Sequence, residues 1–85
     1  MASKTVKVGS SVGLHARPAT LIAQAATEVN VPVTIGLAGS DGVDAGSALL
    51  IMTLGAKYGD EVTVTSDDDA AVEQIASLVE QDLDA

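Results

Sequence analysis

Apolar and polar residues alternate near the start of the chain, over residues 5–8 (TVKV). A period of two is typical of a β-strand with one buried face. Val6 and Val8 are therefore expected to face a core, while Thr5 and Lys7 face outward. The pattern predicts a first strand over residues 5–8.

Three further strands are predicted along the chain. They cover residues 33–37, 43–45 and 61–65. The turn-forming residues 39–42 (GSDG) lie between the second and third strands, which indicates a reversal of the chain there. We expect the four strands to form an antiparallel sheet.

Helical spacing of apolar residues appears in three other segments. The first helix is predicted over about residues 16–27, with Pro18 in its first turn, where a missing N–H costs nothing. Residues 47–54 form a short helix that is apolar on nearly every side, with Ser47 or Asp44 as cap and Gly55 as stop. A last helix follows the acidic residues 67–69 and continues through residues 72–79.

The predicted order of elements is β-α-β-β-α-β-α. Strands and helices in this order form a two-layer α+β domain, in which a four-stranded antiparallel sheet carries three helices on one face. The other face of the sheet stays in water, which accounts for its threonines and lysine. We expect one domain over residues 1–85, because a chain of 85 residues suffices for one small core.

Charge and composition narrow the range of possible binding partners and sites. Twelve acidic residues against four basic ones give a formal net charge of -8, which opposes binding to nucleic acid or to an anionic bilayer. The absence of cysteine excludes disulfides and cysteine-based metal sites, and no metal cluster or cofactor motif is visible. The N-terminal residues are not an apolar run, so we expect a cytoplasmic protein without membrane insertion.

Residues 13–20 (GLHARPAT) contain the only histidine and the only arginine of the chain. His15 is predicted at the cap of the first helix, beside unpaired N–H groups and the positive end of the helix dipole. Arg17 adds a charged fork that matches phosphate oxygens, and Pro18 stiffens the turn. The residues predict a phosphohistidine site with His15 and Arg17 as reactive groups and a phosphate-binding segment of His15, Ala16, Arg17 and Pro18. The alternative, a polar cap beside a surface arginine, stays open at this point.

The same octapeptide resembles the active-site motif of the HPr family, the histidine-containing phosphocarriers of the sugar phosphotransferase system. The resemblance extends over essentially the whole chain and includes residues 46–55 (GSALLIMTLG). It implies an open-faced β-sandwich. It also implies that His15 accepts a phosphoryl group on Nδ1 from Enzyme I and hands it to IIA domains of sugar permeases, with Arg17 steadying the phosphate. On this basis we expect a monomer that is a carrier and not an enzyme.

The resemblance also implies a partner-docking face. Its residues come from the exposed side of the first helix and from the short second helix: Thr20, Leu21, Gln24, Ala48, Leu49 and Met52. Leu21 lies off the apolar stripe of its helix, so the core does not require it. Extra core packing is the alternative role for Leu49.

Ser47 matches a serine that a dedicated kinase phosphorylates in many relatives. Gly46 stands where those relatives usually carry lysine, and helix capping is a sufficient role for Ser47.

Two other function classes compete with the carrier. One is a hydrolase in which His15 activates Ser10 or Ser11, although no third catalytic residue or nucleophile elbow is visible. The other is a purely regulatory binding module, which the presence of His15 with Arg17 disfavours.

Overall fold

The structure, a computed structural model, describes residues 2–11 and 13–81. Its elements follow the predicted order. One domain was expected over residues 1–85, and residues 1, 12 and 82–85 of that prediction lie outside the described residues. The bounds are β1 Ala2–Lys7, α1 Ala16–Glu28, β2 Val33–Leu37, β3 Val43–Asp44, α2 Ala48–Thr53, β4 Glu61–Ser66 and α3 Asp69–Glu80.

The four strands form one antiparallel sheet in the order β1-β4-β2-β3. Val6 pairs with Val62, and Ile35 pairs with Val64. All four of these side chains are buried, because alternate residues of a strand point to the same face. One face of the sheet is therefore the floor of the core.

The opposite face of the sheet is polar. Thr5 pairs with Thr63 across β1 and β4, and their hydroxyl oxygens lie 2.9 Å apart in a hydrogen bond. Thr5, Lys7 and Thr34 are exposed, and Thr63 is half-buried. The predicted open-faced sandwich, with three helices over the other face of the sheet, is confirmed.

Each long helix buries one apolar stripe. In α1 the buried residues are Pro18, Ala19, Ile22, Ala23 and Ala26. In α3 they are Ala71, Val72, Ile75, Ala76 and Val79. α3 contacts β1 and β4, α2 contacts β3, and α1 packs against both other helices. The spacing of these residues explains why the sequence predicted both helices well.

The predicted bounds of β1 and β3 were wrong. β1 begins at Ala2 and ends at Lys7, because Ser3 and Lys4 continue the ladder opposite Thr65 and Val64. Val8 lies beyond the strand, although its N–H still donates to the carbonyl of Asp60 at 2.9 Å. β3 is limited to Val43–Asp44, since Ala45 already leaves the strand while its N–H donates to Val33 at 2.9 Å.

α2 is also shorter than predicted, because its end residues act as caps. Ser47 is the N-cap, and its hydroxyl accepts from the N–H of Leu50 at 3.3 Å. Asp44, the other candidate cap, instead accepts from the N–H of Gly46 at 2.9 Å. Within α2 only Ile51 is buried, whereas Leu49 and Leu50 are exposed.

Candidate functional site

His15 is held in place by the backbone of the preceding loop. Gly13 has φ of 76°, its N–H donates to Ser10, and the next N–H, of Leu14, donates to the carbonyl of Ala56 at 3.0 Å. A Cβ on Gly13 would lie 2.5 Å from the oxygen of Ala56, so the two loops can approach this closely only at glycine. Leu14 is buried. The residue before His15 is thus anchored in the core.

His15 itself is the N-cap of α1, as predicted. Its backbone is extended, and its carbonyl accepts from the N–H of Ala19 at 2.9 Å. The imidazole makes no capping hydrogen bond, and the residue is exposed. A purely capping role for the side chain therefore has no support in the geometry.

The first turn of α1 presents positive groups beside His15. Ala16 and Arg17 carry backbone N–H groups that the helix does not use, whereas the buried Pro18 has none. Arg17 is exposed, and no hydrogen bond or ion pair of its guanidinium occurs among residues 2–11 and 13–81. These N–H groups, the helix dipole and the guanidinium together suit a dianion bound at His15.

A cavity of about 290 Å³ lies beside His15. Its lining includes residues of both the predicted phosphate-binding segment and the predicted docking face. Met52, at the end of α2, lines this cavity together with Leu14 and His15. The rest of its lining comes from the loop after α2: Gly55, Ala56 and Lys57. The predicted docking residue Met52 therefore shares a cavity with the predicted reactive residue.

Sequence reasoning missed the loop residues 55–57. The signal for Lys57 was present, because this chain has only four basic residues. The contact itself was not predictable from spacing, since residues 14 and 56 are distant in the chain. Gly55 was predicted as the stop of α2, and it follows the C-cap with φ of 65°.

Four of the six predicted docking residues line two grooves. Thr20, Gln24 and Ala48 line the groove between α1 and α2, and Leu21 lines the groove between α1 and α3. Gln24 lines both grooves. The exposed fraction is 38% for Leu21 and 69% for Leu49, which is not packed into the core.

The two serines of the hydrolase alternative differ in exposure. Ser10 is buried, with an exposed fraction of 1%, and it does not line the cavity beside His15. Ser11 is exposed. A substrate cannot reach the Ser10 hydroxyl in this arrangement, so Ser10 is unsuitable as a nucleophile.

Neither a metal-binding cluster nor a membrane-spanning helix occurs in the described part of the chain. No set of three or more His, Cys, Asp or Glu side chains within residues 2–11 and 13–81 could hold a metal ion. In the same residues, none of the helices has both the length and the apolar character needed to span a membrane.

Comparison with known proteins gives consistent matches. The family model described as the phosphorylation site of the HPr component of the phosphotransferase system matches residues 2–81. The phosphocarrier protein HPr of Streptomyces coelicolor is 45% identical over 87 residues, covering 99% of this chain and 94% of that protein.

Solved structures agree with the sequence matches. HPr-C-His from Thermoanaerobacter tengcongensis superposes with a TM-score of 0.86 at 28% identity, covering 100% of this chain and 98% of that one. The phosphocarrier HPr of Bacillus anthracis superposes with a TM-score of 0.81 at 34% identity, covering 92% of this chain and 95% of that one.

Proposed function

Because the chain belongs to the HPr family, the phosphocarrier proteins of the sugar phosphotransferase system, we propose that His15 is its phosphorylated residue. The donor is the phosphohistidine of Enzyme I, and the acceptors are IIA domains of sugar permeases. The observation that carries this proposal is that the His15 side chain, at the start of α1, is exposed and makes no capping hydrogen bond. The N–H groups of Ala16 and Arg17 follow directly in the chain.

The transfer exchanges one nitrogen–phosphorus bond for another. The lone pair of Nδ1 of His15 forms the new bond, and the electron pair of the broken bond returns to the ring nitrogen of the donor. The proton on the other nitrogen of His15 stays in place. The three phosphoryl oxygens then lie near the N–H groups of Ala16 and Arg17 and the Arg17 guanidinium, and Pro18 keeps the turn rigid.

The proposed docking face consists of Thr20, Leu21, Gln24, Ala48, Leu49 and Met52. Its support is that four of these side chains line the two grooves of α1, while Leu49 is exposed and Met52 lines the cavity beside His15. Exposed apolar side chains near a reactive group favour a protein partner whose docking displaces water.

The remaining roles follow from the carrier function. The protein participates in phosphoryl transfer without turning over a small substrate, acts as a cytoplasmic monomer over residues 1–85, and does not use nucleic acid as a partner. Ser47 caps α2, and its phosphorylation is not part of the cycle.

The test is incubation of the protein with Enzyme I and phosphoenolpyruvate, followed by mass spectrometry under mildly alkaline conditions. One phosphoryl group is expected on His15. It should be labile in acid and stable in base, because a nitrogen–phosphorus bond breaks after the nitrogen is protonated. His15→Ala should remove the modification while the fold survives, and a phosphorylated His15→Ala protein would refute the proposal.

A further inference from the structure

We propose that the Lys57 ammonium is a second phosphate-binding cation for the phosphoryl group on His15, acting from the cavity that both residues line. The inference rests on the proposed phosphorylation of His15. It adds a residue from a different part of the chain to the site formed by the start of α1.

The backbone of Lys57 is fixed beside the site. The Asp60 carboxylate accepts from the N–H of Lys57 at 2.9 Å, and the N–H of Asp60 donates to the carbonyl of Lys57 at 2.9 Å. Ala56, one residue earlier, accepts from the N–H of Leu14 at 3.0 Å. These bonds hold the loop of Lys57 against the residue that precedes His15.

Lys57 and the residue after it line different cavities. Lys57 lines the cavity of about 290 Å³ with His15 and Met52. The next residue, Tyr58, lines a different cavity together with Lys7 and Glu80. Of these two residues, Lys57 is therefore the one that shares a cavity with His15.

The ammonium of Lys57 is available for an anion. Among residues 2–11 and 13–81, the ion pair found is between Lys4 and Glu73, at 3.1 Å. Asp60, the carboxylate closest in sequence to Lys57, uses an oxygen to accept from the backbone N–H. α2 contains no charged residue, and Arg17 is the charged residue in the first turn of α1.

The charge balance of the chain favours this role. A phosphoryl group adds about -1.5 to -2 charges to a protein whose formal net charge is already -8. Of its four basic residues, Lys4 is paired with Glu73 and Lys7 lines the cavity of Tyr58. Arg17 and Lys57 are therefore the two cations that can offset the added charge at His15.

The experiment is a ³¹P NMR titration of the protein after phosphorylation by Enzyme I and phosphoenolpyruvate. Lys57→Met removes the charge and keeps an apolar stem, Lys57→Arg keeps the charge, and Lys7→Met removes a charge outside the cavity. The midpoint for protonation of the phosphoryl group should rise by about 0.3–1 pH unit in Lys57→Met, because a nearby cation favours the dianion. The midpoint should stay near the parent value in the other two variants, because Lys57→Arg keeps the charge in the cavity and salt screens the charge of Lys7, which does not line that cavity.

The possible outcomes separate the two proposals. A phosphorylated Lys57→Met protein with the parent midpoint overturns the role of Lys57 and leaves phosphorylation of His15 intact. Equal shifts in Lys57→Met and Lys7→Met also overturn it, because only net charge would then matter. If the parent protein shows no phosphoryl resonance at all, the proposed function fails and the role of Lys57 fails with it.

Discussion

The backbone N–H of Leu14 donates to the carbonyl of Ala56 at 3.0 Å, and this bond ties the loop before His15 to the loop after α2. Gly13 makes the approach possible, because a Cβ there would lie 2.5 Å from the same oxygen. His15 and the cavity that it lines with Met52 and Lys57 are thus connected through one crossing of two loops.

Gly13→Ala should therefore lower the free energy of unfolding by about 2–4 kcal/mol, since it combines a positive φ with a steric clash. Gly39→Ala is a matched control, because Gly39 has φ of 85° but open space around its Cβ position. The control should lose only about 1 kcal/mol. Urea denaturation measures both values, and equal losses would show that the crossing at Ala56 does not constrain Gly13.

The sequence predicted the elements that depend on local periodicity. Ile22 and Ala26 of α1, and Val72 and Ile75 of α3, lie on stripes whose spacing is visible in the sequence and whose burial the structure confirms. The position of His15 at the N-cap was equally predictable from the sequence, because Pro18 and the apolar stripe of α1 together indicate where that helix begins.

What the sequence did not reveal depends on contacts between distant segments. The extension of β1 to Ala2 is set by pairing with Ser66 of β4, and alternation within β1 alone does not reveal a partner. The position of Lys57 beside His15 depends on the loop crossing at Leu14. Neither contact has a local signature, because each joins segments that are far apart in the sequence.

Arg17 is expected to act mainly on the moving phosphoryl group. Arg17→Ala should slow transfer to and from His15 by about 10- to 100-fold, a typical effect of losing a hydrogen bond to a charged group. Docking should weaken less, because the charge matters most while charge is redistributed. Arg17→Lys should recover only part of the rate, since it lacks the planar fork. Rapid-quench kinetics with Enzyme I measures the rates, and equal rates for all three proteins would make Arg17 a bystander.

Ser47 is expected to serve α2 as a cap. Ser47→Ala should lower the free energy of unfolding by about 1 kcal/mol, because the N–H of Leu50 loses its acceptor. Ser77→Ala, at an exposed position within α3, should cause little loss: the Ser77 hydroxyl accepts from the exposed Gln81 side chain at 3.4 Å, and alanine favours helix. Thermal or urea denaturation compares the two, and an unchanged Ser47→Ala protein would contradict the capping role.

Modification of Ser47 should be slow or absent with an ATP-dependent HPr kinase, because Gly46 replaces the lysine of kinase-regulated relatives. Ser47→Asp should keep the cap and stabilise the start of α2 by about 0.3–1 kcal/mol, while it impairs docking to an acidic partner surface. Stoichiometric phosphoserine at Ser47 in a kinase assay would refute the first expectation.

The docking face is testable by adding charge to its exposed leucines. Leu21→Asp and Leu49→Asp should each raise the apparent KM for this protein as a substrate of Enzyme I, because a carboxylate prevents the removal of water from the interface. The melting temperature should change little, since both side chains are exposed. Tyr58→Asp is the matched control. Tyr58 is 67% exposed but lines the cavity of Lys7, away from the proposed docking face, so the apparent KM of this variant should equal that of the parent protein. Ile22→Asp should instead unfold the protein, because an unpaired carboxylate would be buried in the core.

The two leucines also define how far the interface extends. Leu21 lines the groove between α1 and α3, whereas Leu49 lies on α2, so a partner that covers both must span the exposed side of α1. Titration of unlabelled Enzyme I into isotope-labelled protein should then shift the amides of both helices. If only Leu49→Asp raises KM, the interface is confined to the α2 side. If the shifts cluster around Thr5, Lys7 and Thr63, the partner binds the open face of the sheet and the proposed docking face is wrong.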